Sequence, residues 1–504
     1  MLRPVGRYGR GPYPAGPVRT ANGEATTGMP RRALPVLLRA RLSRQRADTE
    51  VDVILGVRAT SAGFLSGKSR SSDRRMVPVV VIVVGAPCYS RAGPGSEFRR
   101  RCQRWPLRGG YHRAVSRLRS CAIRMKDGRL VQVVASSRGG GATHMLSLAA
   151  GLAARSHTVA AAMPSDGGNV HAEDFRQSGV GFVDLGGENE STGSRIRRLS
   201  QAFRELKPTL VHAHGSRAAL WCRIALRLSG RDTAELICSI HGFATPFYAW
   251  PRRLLQGSVM KWVCGGAGAV VACCEAERRA LIDAGTASPD RVVPVPYGIE
   301  LSPFLALGET ERLRARAALE VDPDDDVVLM ICRLDRPRDF ETLLAAFARL
   351  SDERPAARLW IVGDGPQRGD VEAIIERGGL QDRVRLWGFR RDVKMFYAAA
   401  DVYVLTSWGW EGLPISVIEA QASARPVVVT DAGGSAEGIA PGQTGLLVPR
   451  SDVAATATAI GTLIDDPERA REMGEAARRR AAERFALSGM IDRFEELYAA
   501  IQQA

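Results

Sequence analysis

The sequence predicts an α/β protein built of two doubly wound parallel sheets that face each other across a cleft. Two observations carry this. From residue 125 onward, short β-branched runs alternate with apolar-periodic segments of about ten to fifteen residues, the pattern of βαβ units. The alternation halts at VPYGIELSPFLALGE (295–309), rich in Pro and Gly, and then begins again. The 504 residues, 45% hydrophobic and 25% charged, leave room for two core-forming domains.

In the first series, LVQVVA (130–135) reads as a buried strand. The Gly-rich SSRGGGA follows it, and THMLSLAAGLAAR is an apolar-periodic helix. HTVAAAM (157–163), TLVHAH (209–214), ELICSIH (235–241) and GAVVACC (268–274) are further strands. The second series comprises DVVLMICRL (326–334), RLWIVGDG (358–365), RVRLWGF (383–389), DVYVLTS (401–407) and PVVVTDAGG (426–434). From about Pro467 to the end the pattern is helical and charged, long enough to pack back across the first domain. The expected boundaries are 1–124 for an extension, 125–304 and 305–485 for the two sheet domains, and 486–504 for a C-terminal helix crossing back.

Residues 1–124 differ in texture. They hold 24 Arg and 1 Lys against 6 acids, whereas the other 380 residues carry 45 basic and 48 acidic groups. The net charge of +16 therefore belongs to the first quarter. Residues 1–75 show neither the 3.6-residue nor the 2-residue period and offer no apolar face, which predicts disorder. Met125 stands just before the organised part and is the expected native start. Composition also excludes several classes. The longest strongly apolar stretch, residues 76–86, is about half a membrane span and contains Pro78. The nine cysteines form no CxxC pair, so a disulfide framework and a structural zinc are not expected.

The stretch SWGWEGLPISVIEAQASARPVVVTDAGGSAEGI (407–439) carries the strongest chemical signal. A strand ends at Ser407, Gly412 permits close backbone approach, and Pro414 suits the first turn of a helix. Free N–H groups at such a helix start favour an anion. Glu411 and Glu419 beside that site suit the hydroxyls of a ribose or sugar ring. Arg333 and Arg338 leave the end of DVVLMIC and can grip a diphosphate through charge-assisted bonds. Gly363, in the turn GDGP, can wall a nucleotide pocket. In the first half, Gly139, Gly140 and Gly141 form a strand-to-helix loop that matches neither GxGxxG nor GxxxxGK[ST]. His212, His214 and His241 fall at two strand ends. The acidic VDPDDD (321–326) precedes a strand and reads as a solvated turn, and Cys273 and Cys274 read as packed within one.

Together, RGGGATH, HAHGSRAAL with SIHGF, RLDRPRDF with VGDGP, and EGLPISVIEA with its Glu-x7-Glu spacing resemble the family 4 retaining glycosyltransferases, also called group 1. The resemblance spans residues 126–500. It implies the GT-B fold, two Rossmann-like domains with donor bound mainly by the second and acceptor mainly by the first. Arg333 and Arg338 would then hold the donor diphosphate, with Arg338 replacing a usual Lys, and Glu419 the ribose. Glu411, with the backbone of Gly412 and Leu413, would hold the donor sugar. Gly140, Gly141 and Gly363 would lie by the donor, and His214 and His241, with Glu411, would line the reaction centre. Cys332 stands where the family usually has Gly.

The resemblance implies a glycosyltransferase moving a sugar from a UDP- or GDP-sugar to a glycan or lipid-linked hydroxyl in envelope or exopolysaccharide synthesis. It implies no cofactor, no metal and no nucleic-acid partner. The expected location is cytoplasmic, with peripheral contact at the inner face of the membrane, for example through PFYAWPRRLL (246–255). A sugar-nucleotide epimerase of the same fold, or an inactive binding scaffold with a basic arm, are the alternatives.

Overall fold

A computed structural model describes residues 129–242 and 250–503. The expectations for residues 1–124, and the part of the proposed docking segment at 246–249, lie outside the described residues.

Two all-parallel sheets are present. The first runs β3-β2-β1-β4-β5-β6-β7, from β1 (Arg129–Val134), β2 (Thr158–Ser165), β3 (Gly181–Gly187), β4 (Leu210–His214), β5 (Glu235–Ile240), β6 (Ala269–Ala272) and β7 (Val292–Pro294). The second runs β10-β9-β8-β11-β12-β13, from β8 (Asp326–Ile331), β9 (Ala357–Val362), β10 (Val384–Gly388), β11 (Val402–Leu405), β12 (Val427–Thr430) and β13 (Gly445–Val448). Helices join successive strands, as parallel pairing requires. Central strands such as LVHAH and VVVT are buried along their whole length because helices cover both faces. The strand order reverses between β1 and β4 and again between β8 and β11. Ligands of doubly wound sheets bind outside the carboxyl ends at such points.

The structure adds three strands to the reading. β3, β7 and β13 are edge strands, and GFVDLGG, VVP and GLLV are too short or too glycine-rich to show a run of β-branched residues. A helix, Glu309–Ala318, also follows directly on the Pro- and Gly-rich pause. Two placements are corrected. Cys273 and Cys274 are not in a strand: β6 ends at Ala272, and Cys274 caps the helix Glu275–Asp283, its sulfur accepting the Glu277 N–H at 3.4 Å. Similarly, Pro414 is not in the first turn but caps the helix Ile415–Ala422 from outside.

The chain crosses twice between the sheets, and the crossings run side by side. Ile299 donates to the Phe485 carbonyl at 2.9 Å, and Leu487 donates to the Ile299 carbonyl at 3.0 Å. The final helix, Leu487–Gln502, then packs Met490, Ile491, Phe494, Leu497 and Tyr498 into the core around Leu130 and Ile237 of the first sheet and Met145 of the helix Gly140–Ala154. Among the described residues no helix is long and apolar enough to cross a membrane.

Candidate active site between the two sheets

The Gly-rich loop after β1 is the meeting point. Gly139 holds a left-handed φ of 82° at the cap of the helix Gly140–Ala154, and the Asn169 side chain accepts its N–H at 2.8 Å. A Cβ at any of the three glycines would meet a different partner at van der Waals distance. A Cβ at Gly139 would lie 3.7 Å from Arg333 Nη1, one at Gly140 3.6 Å from Ile415 Cδ1, and one at Gly141 3.5 Å from His241 Cδ2. The loop thus brings together the arginine after β8, the start of the helix after β11, and the histidine after β5. Asp166 braces it, accepting from Ser136 Oγ and the Ser137 N–H at 3.0 Å each.

The two arginines differ in state. Arg333 is 59% exposed at its side chain and pairs with Asp335 at 2.9 Å. Arg338 is enclosed: it forms an ion pair with Glu411 and donates to Ser407 Oγ at 3.0 Å, while Ser407 Oγ donates to Glu411 Oε1 at 2.7 Å. Its Nε is buried with no partner among the described residues. Glu411 is therefore a buried carboxylate tied to a guanidinium. Glu419 sits partly buried in the helix Ile415–Ala422 and accepts from the Tyr397 hydroxyl at 2.8 Å. Burial pushes its carboxyl up to about 7, against the opposing pull of the Tyr397 bond. The Gly363 turn backs this site, since a Cβ there would collide with the Cys332 carbonyl and one at Gly365 with Leu334.

The loop at 411–413 touches the first sheet domain directly. The Leu413 N–H donates to Cys273 Sγ at 3.3 Å, and a Cβ on Gly412 would lie 2.9 Å from the same sulfur. Glu437 makes the firmest crossing. Its carboxylate accepts the N–H groups of Glu275, at 2.8 Å, and Ala276, the first two residues of the helix Glu275–Asp283.

Four of the seven histidines cluster at the carboxyl end of the first sheet. His212 bonds Tyr498 and Ser239, both at 2.7 Å, and is structural. His214 and His241 are linked at 3.1 Å, with Gln132 and Tyr297 at either end. Burial depresses all four, His212 to about 3 and His241 to about 4, so they are neutral near pH 7. The candidate ligand nitrogens of His144, His214 and His241 lie within 4.8 Å of one another, close enough to hold a metal ion. Such an ion would require His214 and His241 to turn, because their linked nitrogens point at each other. Sequence spacing does not single out His144, although RGGGATH contains it, and carries no sign of Gln132, Tyr297 or Glu277. Glu277 is fully buried and accepts the Gly242 and Cys273 N–H groups at 2.8 Å each, with burial pushing it up to about 7.

Comparison with known proteins agrees with this layout. Residues 138–303 match the family described as Glycosyltransferase Family 4, and residues 325–466 match Glycosyl transferases group 1. EpsD of Bacillus subtilis (strain 168) is 26% identical over 310 residues, covering 60% of this chain and 80% of EpsD. The D-inositol 3-phosphate glycosyltransferase of Kineococcus radiotolerans is 37% identical over 238 residues, 44% of this chain and 54% of that protein. The lipopolysaccharide core biosynthesis glycosyltransferase LpsE of Rhizobium meliloti is 31% identical over 184 residues, 36% of this chain and 53% of that protein. For these last two the chain spans about half the relative's length. Among solved structures, Anabaena HepE in complex with UDP-glucose superposes with a TM-score of 0.64 at 21% identity, covering 74% of this chain and 99% of HepE. Two all-parallel sheets, a glycine loop set against the arginine and helix start of the opposite sheet, and matches to both halves lead to one conclusion: the chain is a GT-B enzyme of the group 1, family 4 glycosyltransferases.

Proposed function

We propose that this enzyme transfers a sugar, with retention of anomeric configuration, from a UDP- or GDP-sugar to a hydroxyl of a glycan or lipid-linked acceptor in envelope or exopolysaccharide synthesis. The observation that carries the reading is the convergence of Gly139 on Arg333 and of Gly140 on the helix start at Ile415. The start of the helix Gly140–Ala154 beside the Arg333 guanidinium suits a diphosphate.

In this reading Arg333 meets the diphosphate directly and compensates the charge that develops as it leaves. Arg338 acts from behind, its guanidinium already shared with Glu411 and Ser407. Glu411 and the backbone of Gly412 and Leu413 hold the sugar, and Glu419 accepts from the ribose, its carboxylate oriented by Tyr397. The departing phosphate takes the acceptor's proton on the face the acceptor approaches. No metal or cofactor enters this scheme. HepE was solved with UDP-glucose, and the relatives include enzymes named for envelope glycan synthesis, which support the donor and acceptor classes.

A thermal-shift screen of UDP, GDP and ADP with their common sugar conjugates tests this. A ligand at 100 times its dissociation constant stabilises the fold by about 2.7 kcal/mol. A shift with one nucleotide, lost in Arg333→Ala/Glu419→Ala, identifies the donor base. No shift with any nucleotide refutes the donor site, and a product that remains a nucleotide-sugar assigns the chain to an epimerase.

Peripheral membrane contact is proposed for the face where the helix Trp250–Gly265 lies against Ser216–Ser229. Leu255 and Leu228 are 69% and 56% exposed, and Arg223 and Arg227 stack on the exposed Trp262. Apolar side chains among arginines suit an anionic lipid surface. Co-sedimentation with anionic vesicles, lost in Trp262→Ala/Leu255→Ser, is the expected result, and no pelleting refutes it.

A further inference from the structure

We infer that Tyr297 and Gln132 are positioning residues that lock His241 and the buried His214 behind it into a single tautomeric register, making His241 a rigid wall of the cleft rather than a proton donor or acceptor. The inference rests on the proposed site, since His241 lies against its glycine loop.

The hydrogen bonds run in one line. Gln132 Oε1, 3.1 Å from His214 Nε2, can only accept, so that nitrogen carries the hydrogen. A neutral His214 then has a lone pair on Nδ1, which receives the hydrogen of His241 Nε2 at 3.1 Å. His241 Nδ1 in turn accepts from the Tyr297 hydroxyl at 2.6 Å. The two rings are parallel within 3°, and their centroids, 5.3 Å apart, leave only the two ring radii beyond the 3.1 Å contact. The rings therefore lie end to end, with donor and lone pair in line.

All four ring nitrogens are engaged inside the protein. What His241 turns toward the glycine loop is its Cδ2–H edge, 3.5 Å from where a Gly141 Cβ would stand. The space bounded by His144, Ser239, His241, Cys273 and Tyr297 is too narrow for a water molecule that could replace a link. Tyr297 is buried, and burial, then Cys273 and Glu277, hold its phenol protonated and able to donate. Tyr297 also belongs to the first crossing between the sheets, just before Ile299, and Gln132 to the middle of β1. The lock is thus anchored in β1 and in the crossing between the two sheets.

Selective 15N-histidine labelling reads the tautomers. At neutral pH, His214 and His241 are expected to carry hydrogen on Nε2 and none on Nδ1. Tyr297→Phe removes only the hydroxyl. It should release His241 into a mixture of tautomers, leave the UDP-induced melting shift intact, and slow UDP release from UDP-glucose about 10- to 100-fold with little change in KM. Gln132→Glu, which keeps an acceptor, should retain the register, and Gln132→Leu should lose it. Hydrogen on Nδ1 of either ring in the unmodified protein overturns the inference, as does Tyr297→Phe with unchanged tautomers and turnover. If the unmodified protein neither binds a nucleotide nor releases UDP from UDP-glucose, the transferase reading fails while the tautomers still decide this one.

Discussion

Replacing Glu437 with Ala should loosen the contact between the two sheet domains without unfolding either. The Glu437 carboxylate accepts two N–H groups at the start of the helix Glu275–Asp283. Hydrogen bonds to a charged group contribute about 1.5–3 kcal/mol each. The sum is reduced on two counts. Water can solvate the freed N–H groups once the contact opens, and Glu275 already places negative charge in the same first turn. A net of about 2 kcal/mol is a reasonable centre, or roughly 30-fold in the equilibrium between joined and separated arrangements. Small-angle X-ray scattering of the ligand-free protein should report a larger radius of gyration for Glu437→Ala, with an intermediate value for Glu437→Gln, which keeps one acceptor oxygen. The nucleotide that shifts the melting point should bind more weakly in the same order. Scattering curves that superpose on the wild type, with that nucleotide's affinity within about twofold, would refute the reasoning.

Other outcomes follow from the site. Arg333→Ala should fold normally and weaken UDP binding by roughly tenfold or more, measured by calorimetry, because an exposed guanidinium leaves no buried partner behind. Arg338→Ala should instead lower the melting point, since it strands the buried Glu411 carboxylate, at about 3–5 kcal/mol. Burial holds His144, His212, His214 and His241 below their unfolded values, so the unfolded chain takes up protons first and stability is lost as pH falls below about 6.5. Glu277 and Glu419, raised to about 7, act in the opposite direction as pH rises. They are two groups against four, and urea melts at pH 5 and pH 7 should show the acid loss prevailing. Affinity for UDP should rise with pH through about 7 as Glu419 becomes a full acceptor, and Glu419→Gln should flatten that profile; a wild-type profile already flat would exclude Glu419 from the ribose.

Much of the site was legible because single segments carry it. The glycines after β1, the arginines after β8 and EGLPISVIE after β11 each sit at a strand end within one stretch of sequence, where period and turn chemistry mark them. Side-chain states were not legible in the same way. Arg333 and Arg338 are equivalent in RLDRPRD, yet one is exposed and the other enclosed by Glu411 and Ser407, residues some seventy positions away. Nothing in GGSAEGI marks Glu437, because its partners belong to the opposite sheet domain.

The sequence by itself determined the class of fold and the place of the cleft, since hydrophobic period and glycine loops are local and strand ends follow from them. Only the tertiary structure decided which groups are charged, paired or locked. A histidine such as His214 is defined by Gln132 on a neighbouring strand and His241 just past another, and burial of that cluster sets its protonation. Both effects depend on distances through space, which spacing along the chain does not encode.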